Sequence, residues 1–109
     1  MEGLLRLFFA DQGSVEDLVR SLDATARGAR EAIDDLRGFA DEYLETGGPF
    51  PKRLHIVAMA QDLLTRTLSE IEGFCSAASS EVAAWDTTVG LGLTDATRDR
   101  LKQIQRRGR

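Results

Sequence analysis

The residues that could perform acid–base or nucleophilic chemistry are few and scattered along this sequence. His55 is the single histidine, and no serine or cysteine nucleophile is spaced to work with it. Carboxylate pairs occur at Asp34-Asp35 and Asp41-Glu42, where they fall on a charged helix face that is typical of solvated surface rather than of acid–base catalysis. We therefore expect no catalytic residues and no enzymatic activity.

The residues that could hold a metal or a cofactor do not form the usual patterns. Cys75 is the only cysteine, which excludes an internal disulfide and a cysteine-based zinc site, and its apolar neighbours indicate a small buried hydrophobe. No Glu-x-x-His motif supports a metal site in a helical bundle. The Gly90-Leu91-Gly92 fragment lacks the third glycine of a dinucleotide-binding fingerprint. We expect no metal and no cofactor.

One aromatic residue leaves a binding function open. Trp85 could stack on a flat ligand, although packing in a core or an interface is the more common role of such a residue. An alternative function is therefore a small-molecule-binding helical module with a pocket at a dimer interface. Its candidate ligand contacts are Trp85, Phe50, Met59 and His55.

The elements that position these residues are predicted to be helices throughout. Apolar residues recur every three or four positions over 14–46 and 52–85, and a short basic helix is predicted over 94–107. Ser14 and Thr94 are the predicted N-caps, and Gly47 is the predicted residue after the first long helix. Residues 1–13 form an apolar N-terminal segment. The fold class is all-α, with two long antiparallel helices, short flanking N- and C-terminal helices, and a dimeric helical bundle.

The second long helix carries two apolar stripes, and this pattern predicts a dimer. A single hairpin covers only one stripe, so the other (Ile56, Ala60, Leu63, Thr67 and Phe74) has no partner within the chain. A homodimer would cover it, and a monomeric bundle in which the chain ends cover it is the alternative. The predicted dimer-interface residues are Leu54, Val57, Leu64, Leu68, Ile71, Cys75 and Val82.

Two features of the first helix concern its surface. Opposite charges four residues apart, such as Asp23 with Arg27 and Arg30 with Asp34, indicate a solvated face. Gly28 and Gly38 each cost about 1 kcal/mol relative to alanine in a helix. We expect something to approach the helix closely at these glycines.

Charge is distributed unevenly over the 109 residues. The net charge of −4 divides into −9 over residues 1–97 and +5 over residues 98–109. A basic helix end that balances an acidic body explains the last twelve residues better than a nucleic-acid-binding tail, since no aromatic residue is interleaved for base stacking. No apolar run is long enough to span a membrane, and the lone thiol fits a reducing compartment, so we expect a cytoplasmic protein without a membrane partner.

Three stretches together resemble a known family. They are Leu4-Leu5-Arg6-Leu7-Phe8-Phe9-Ala10-Asp11-Gln12-Gly13-Ser14, Gly48-Pro49-Phe50-Pro51-Lys52-Arg53-Leu54-His55 and Trp85-Asp86-Thr87-Thr88. In order and spacing they resemble the C-terminal helical domain of PadR-like transcriptional regulators.

The resemblance implies a dimerisation and effector domain. In that family an N-terminal winged helix binds DNA, and the C-terminal helices dimerise the protein and in some members help to form an effector pocket. This chain begins where the family's second domain begins, so the resemblance implies a module without the winged helix and without direct sequence-specific DNA binding. Its expected partners are a second copy, or a full-length PadR-like regulator with which it forms a heterodimer.

Overall fold

Three α-helices make up most of the computed structural model, which describes residues 13–87 and 89–108. Helix α1 spans Val15–Thr46, helix α2 spans Leu54–Ala83 and helix α3 spans Asp95–Arg107. A 3₁₀ turn, Pro51–Arg53, precedes α2. Within the described ranges there is no strand, which confirms the all-α prediction. The apolar segment predicted over 1–13 lies outside the described residues, apart from Gly13.

Local signals begin and end α1. The backbone N–H of Asp17 donates to the Ser14 hydroxyl at 3.0 Å, which satisfies one of the free donors of the first turn. At the other end Gly47 takes a left-handed conformation (φ 81°), and its N–H donates to the Tyr43 carbonyl at 2.9 Å. Both predicted caps are confirmed.

Helix α2 is slightly shorter than the predicted range 52–85. Its first residue is Leu54, because the N–H of Arg53 donates to the Phe50 carbonyl and closes a 3₁₀ turn before the helix. It ends at Ala83, and the N–H of Trp85 donates to the Val82 carbonyl just past the helix end. The Thr94 hydroxyl accepts from the N–H of Thr97, which confirms the predicted cap of α3.

The hydrophobic core lies between the first half of α1 and the second half of α2. Small residues in the core allow the two helices to approach closely, and Leu22 and Cys75 are its most deeply buried side chains. Burial of one leucine side chain contributes about 1.5–3 kcal/mol. The core residues are Leu18, Leu22 and Ala26 of α1 with Cys75, Ala78 and Val82 of α2.

The remaining halves of the two long helices are packed less completely. On α1 the buried positions end with Ala29 and Ile33, and no residue of α2 before Cys75 is fully buried. Leu44, Phe50 and Met59 are among the large apolar side chains exposed in this region. Among the described helices none is both long enough and apolar enough to cross a membrane.

Among the described residues of the single chain nothing approaches the two glycines of α1 closely. A Cβ atom built on Gly28 or Gly38 would meet no atom within 4 Å. Both residues are exposed, and packing elsewhere along α1 compensates for their cost.

We expect Gly38→Ala to raise the free energy of unfolding by about 1 kcal/mol, since alanine loses less backbone entropy in a helix and has open space here. Thermal unfolding followed by circular dichroism measures the change. Gly47→Ala is the contrasting variant and should lower stability, because alanine is strained at a φ of +81°. Destabilisation by Gly38→Ala would show that a neighbour contacts that position.

Candidate functional site

An exposed apolar stripe runs along α2. Ile56, Met59, Leu63 and Phe74 are 51%, 75%, 68% and 47% exposed, although each is a large apolar side chain. Thr67 is exposed on the same face. Their spacing of three, four or seven residues places them on one side of the helix over about 27 Å at 1.5 Å per residue. We call these five residues the α2 outer stripe. The predicted second stripe has Ala60 in place of Met59; Ala60 is exposed as well, so no residue of the predicted stripe is buried by the described part of the chain.

The opposite edge of the helix pair is polar. Ser79 of α2 donates its hydroxyl hydrogen to a carboxylate oxygen of Asp23 at 2.5 Å, which is a short, charge-assisted hydrogen bond. Two turns further along α1 and two turns back along α2, the guanidinium Nε of Arg30 lies 3.6 Å from Oε2 of Glu72. At about 100° per residue, Ser79 and Glu72 lie roughly 150° around α2 from the outer stripe. The helix pair therefore has one polar edge and one apolar edge.

The role predicted for Asp23 is corrected by this contact. The sequence pairs Asp23 with Arg27 on a solvated face, whereas the structure places its side chain, partly buried, against Ser79, 56 residues away. The companion prediction is confirmed, because Arg30 and Asp34 form an ion pair at 3.0 Å. No local pattern distinguishes the two aspartates, since only the packing of α1 on α2 brings Ser79 within reach.

Of the seven predicted interface residues, three belong to or pack against the core that α2 forms with α1, and four do not. Cys75 and Val82 are 0% and 3% exposed, because α1 of the same chain covers them, so they have no free surface for a second chain. Ile71 packs partly against the same core. The other four line the less tightly packed half of α2: Leu54, Val57 and Leu68 are partly buried and Leu64 is half-exposed.

The four predicted ligand contacts do not come together in one chain. Trp85 packs against the core beyond the end of α2, whereas Phe50, His55 and Met59 are exposed around its start. Most of the length of α2 separates the two groups, about 39 Å between Met59 and Trp85 at 1.5 Å per residue. Met59 is part of the outer stripe. Across the described residues no group of three or more His, Cys, Asp or Glu side chains is arranged to hold a metal ion.

Helix α3 is joined to the helix pair through one ion pair. The Arg100 guanidinium donates two hydrogen bonds to the Glu81 carboxylate, one of them at 3.2 Å. These bonds raise the pKa of Arg100. Leu101 and Ile104 lie on one face of α3 and are exposed. The basic residues predicted as a helix end are therefore carried by an amphipathic helix with an uncovered apolar face.

Comparisons of the chain with protein-family models, with curated proteins and with solved structures give no match.

Cys75 should react slowly with thiol reagents in the folded protein, because its side chain is buried and burial raises the pKa of its thiol. Above the thiol's ordinary pKa the unfolded chain loses this proton while the folded chain keeps it, so stability should fall as the pH rises from there through the native pKa. The rate of colour development with an aromatic disulfide reagent, with and without denaturant, measures the protection. Equal rates in both conditions would contradict the burial of Cys75.

Proposed function

We propose that this chain is a helical pairing module: an antiparallel hairpin of α1 and α2 that binds a second copy of itself through the α2 outer stripe. In this proposal it acts in transcription regulation as the dimerisation and effector domain of a PadR-like regulator, through protein–protein contacts. The observation that carries the proposal is the row of large apolar side chains left exposed along α2.

The tertiary contacts support an antiparallel hairpin. Asp23 contacts Ser79 and Arg30 contacts Glu72, so seven residues forward along α1 correspond to seven residues back along α2. The core agrees, because residues near the start of α1 pack with residues near the end of α2. The four residues between Thr46 and Pro51 suffice to reverse the chain, with Gly47 and Gly48 both at positive φ.

The chemistry of the outer stripe supports a protein partner. Isolated exposed apolar side chains are normal on a protein surface, but a contiguous row is typical of an interaction site. The stripe has the three- and four-residue spacing with which helices pack against helices. A second copy offers the same helix face, and a symmetric dimer covers both stripes at once.

The assignment to PadR-like regulators is supported by the sequence resemblance and by the positions that the resembling stretches take in the fold. The stretch Gly48 to His55 forms the connection and the start of α2, and the stretch from Trp85 to Thr87 follows the end of α2. The resembling stretches thus flank the helix that carries the outer stripe. In the family, the corresponding domain joins two DNA-binding subunits.

Leu63→Glu should convert the dimer to a monomer. A glutamate at this position would be buried without a partner in the interface, at a cost of several kcal/mol, which raises the dissociation constant at least about 100-fold. The fold should persist, because Leu63 is mostly exposed in the single chain. Light scattering over a dilution series gives the mass, expected to be twice 12.0 kDa for the unmodified chain.

Ser69→Glu is the matched control for this variant, since it adds the same charge to an exposed position on the other side of α2. It should leave the dimer intact. A monomeric unmodified chain at micromolar concentration, or a Leu63→Glu variant that remains dimeric, would overturn the proposal.

The regulatory part of the proposal predicts an effect in trans. When the chain is added in excess to a full-length PadR-like regulator, mixed dimers with a single DNA-binding arm should form and operator binding should fall. Fluorescence anisotropy of a labelled operator duplex measures this loss, with the Leu63→Glu variant as a control that should have no effect. Unchanged operator binding at saturating amounts of the chain would remove the heterodimer from the proposal.

A further inference from the structure

We propose that the second copy packs its α2 antiparallel to the first along the outer stripe, with Lys52 of each copy beside Glu81 of the other. This inference depends on the proposed dimer and specifies its direction and register. It follows from the charges at the two ends of the stripe.

The spacing of the outer stripe continues beyond its apolar residues at both ends. Lys52, in the 3₁₀ turn, precedes Ile56 by four residues, and two turns after Phe74 the same face ends with Glu81. Every step along this extended stripe is three or four residues, the period of one helix face. The extended stripe consists of Lys52, Ile56, Met59, Leu63, Thr67, Glu70, Phe74, Ala77 and Glu81.

The charges of this face oppose the dipole of their own helix. The N-terminal end of a helix carries partial positive charge, yet Lys52 and Arg53 precede α2 and its first turn has no acidic residue. Its last turn has no basic residue, and Glu81 lies within it. The N-terminal end of α2 is therefore short of the negative charge that would stabilise it, and Glu81 of a second α2 running in the opposite direction supplies that charge. At the C-terminal end Arg100 of α3 already lies beside Glu81, and Lys52 of the second copy would add to it.

A parallel arrangement would have the opposite effect. It would place Lys52 against Lys52, Glu70 against Glu70 and Glu81 against Glu81, so like charges would meet along the whole interface. Glu81 already accepts hydrogen bonds from Arg100. A carboxylate has about four acceptor positions, so a lysine of the second copy can be accommodated as well.

The register fixed by the charged ends also matches the apolar side chains. With Lys52 opposite Glu81, Ile56 lies opposite Ala77 and Met59 lies opposite Phe74, while Thr67 falls at the two-fold axis. A thioether beside an aromatic ring is a favourable contact, and Ala77 leaves room for the larger Ile56. Leu63 lies opposite the methylene groups of Glu70, whose carboxylate is exposed at the rim.

The same register brings together, across the dimer, aromatic residues that lie far apart in a single chain. It brings the end of one copy's α2, which Trp85 follows, beside the start of the other copy's α2, which Phe50 precedes. The emission of Trp85 should therefore shift as the chain dimerises, which gives a spectroscopic reading of the register.

Disulfide trapping of the full 109-residue chain tests the direction. Thr67→Cys should form a covalent dimer with itself under mild oxidation, because its two copies lie about one residue apart along the axis. Ile56→Cys alone should not, since the antiparallel register separates its two copies by about 31 Å. A mixture of Ile56→Cys and Ala77→Cys chains should form the mixed covalent dimer. The native Cys75 is buried and stays in place, and Ser69→Cys, exposed on the other side of α2, is the matched control.

The outcomes separate this inference from the proposed function. Self-linking of Ile56→Cys without linking in the mixture would establish parallel pairing and overturn the antiparallel register while leaving the dimer intact. A dimer by light scattering in which none of the stripe cysteines links more than Ser69→Cys would show that the interface lies elsewhere. A monomer by light scattering would overturn the dimer itself.

Discussion

The close packing of the first half of α1 on the second half of α2 is the contact on which the rest of the structure depends. Leu18, Leu22 and Ala26 meet Cys75, Ala78 and Val82 there, and these six are most of the eight buried hydrophobic residues in the described part of the chain. Alanine and cysteine leave room for the two helices to approach closely, and the leucines fill the space between them. Both helices extend well beyond this contact, so their remaining halves carry surface that the single chain does not cover.

The polar edge fixes how the two helices meet. The Asp23–Ser79 hydrogen bond and the Arg30–Glu72 ion pair lie on one side of the core and set the register of α1 against α2. A part-buried carboxylate that lost its partner would be destabilising, so these contacts disfavour rotation of either helix. With that edge occupied, α2 presents its outer stripe on the other side. The candidate site is thus the face of α2 that remains exposed when α1 covers the core-facing residues.

The function that these surfaces support is association. Most carboxylates of the described residues are exposed, the single histidine is exposed and the single thiol is buried. The extended stripe instead combines the exposed apolar side chains of the outer stripe with Lys52 at one end and Glu81 at the other. That distribution fits a second copy of the same helix, since a two-fold axis brings each end to its opposite charge.

The amino-acid sequence by itself determined both ends of α1 and the start of α3, whereas α2 is two residues shorter at each end than its apolar spacing predicts. Caps and turn residues act over a few positions, so Ser14, Gly47 and Thr94 could be recognised without knowledge of the fold. The exposure of the second apolar stripe could also be predicted, because α2 carries two apolar stripes and a single hairpin covers only one of them. Only the tertiary structure decided which apolar residues form the core: Cys75 and Val82 are covered by α1, whereas Leu64, which has the same spacing, is half-exposed. It also decided that Asp23 binds Ser79 rather than Arg27. Spacing gives the face of one helix, but burial depends on where along that face the other helix makes contact.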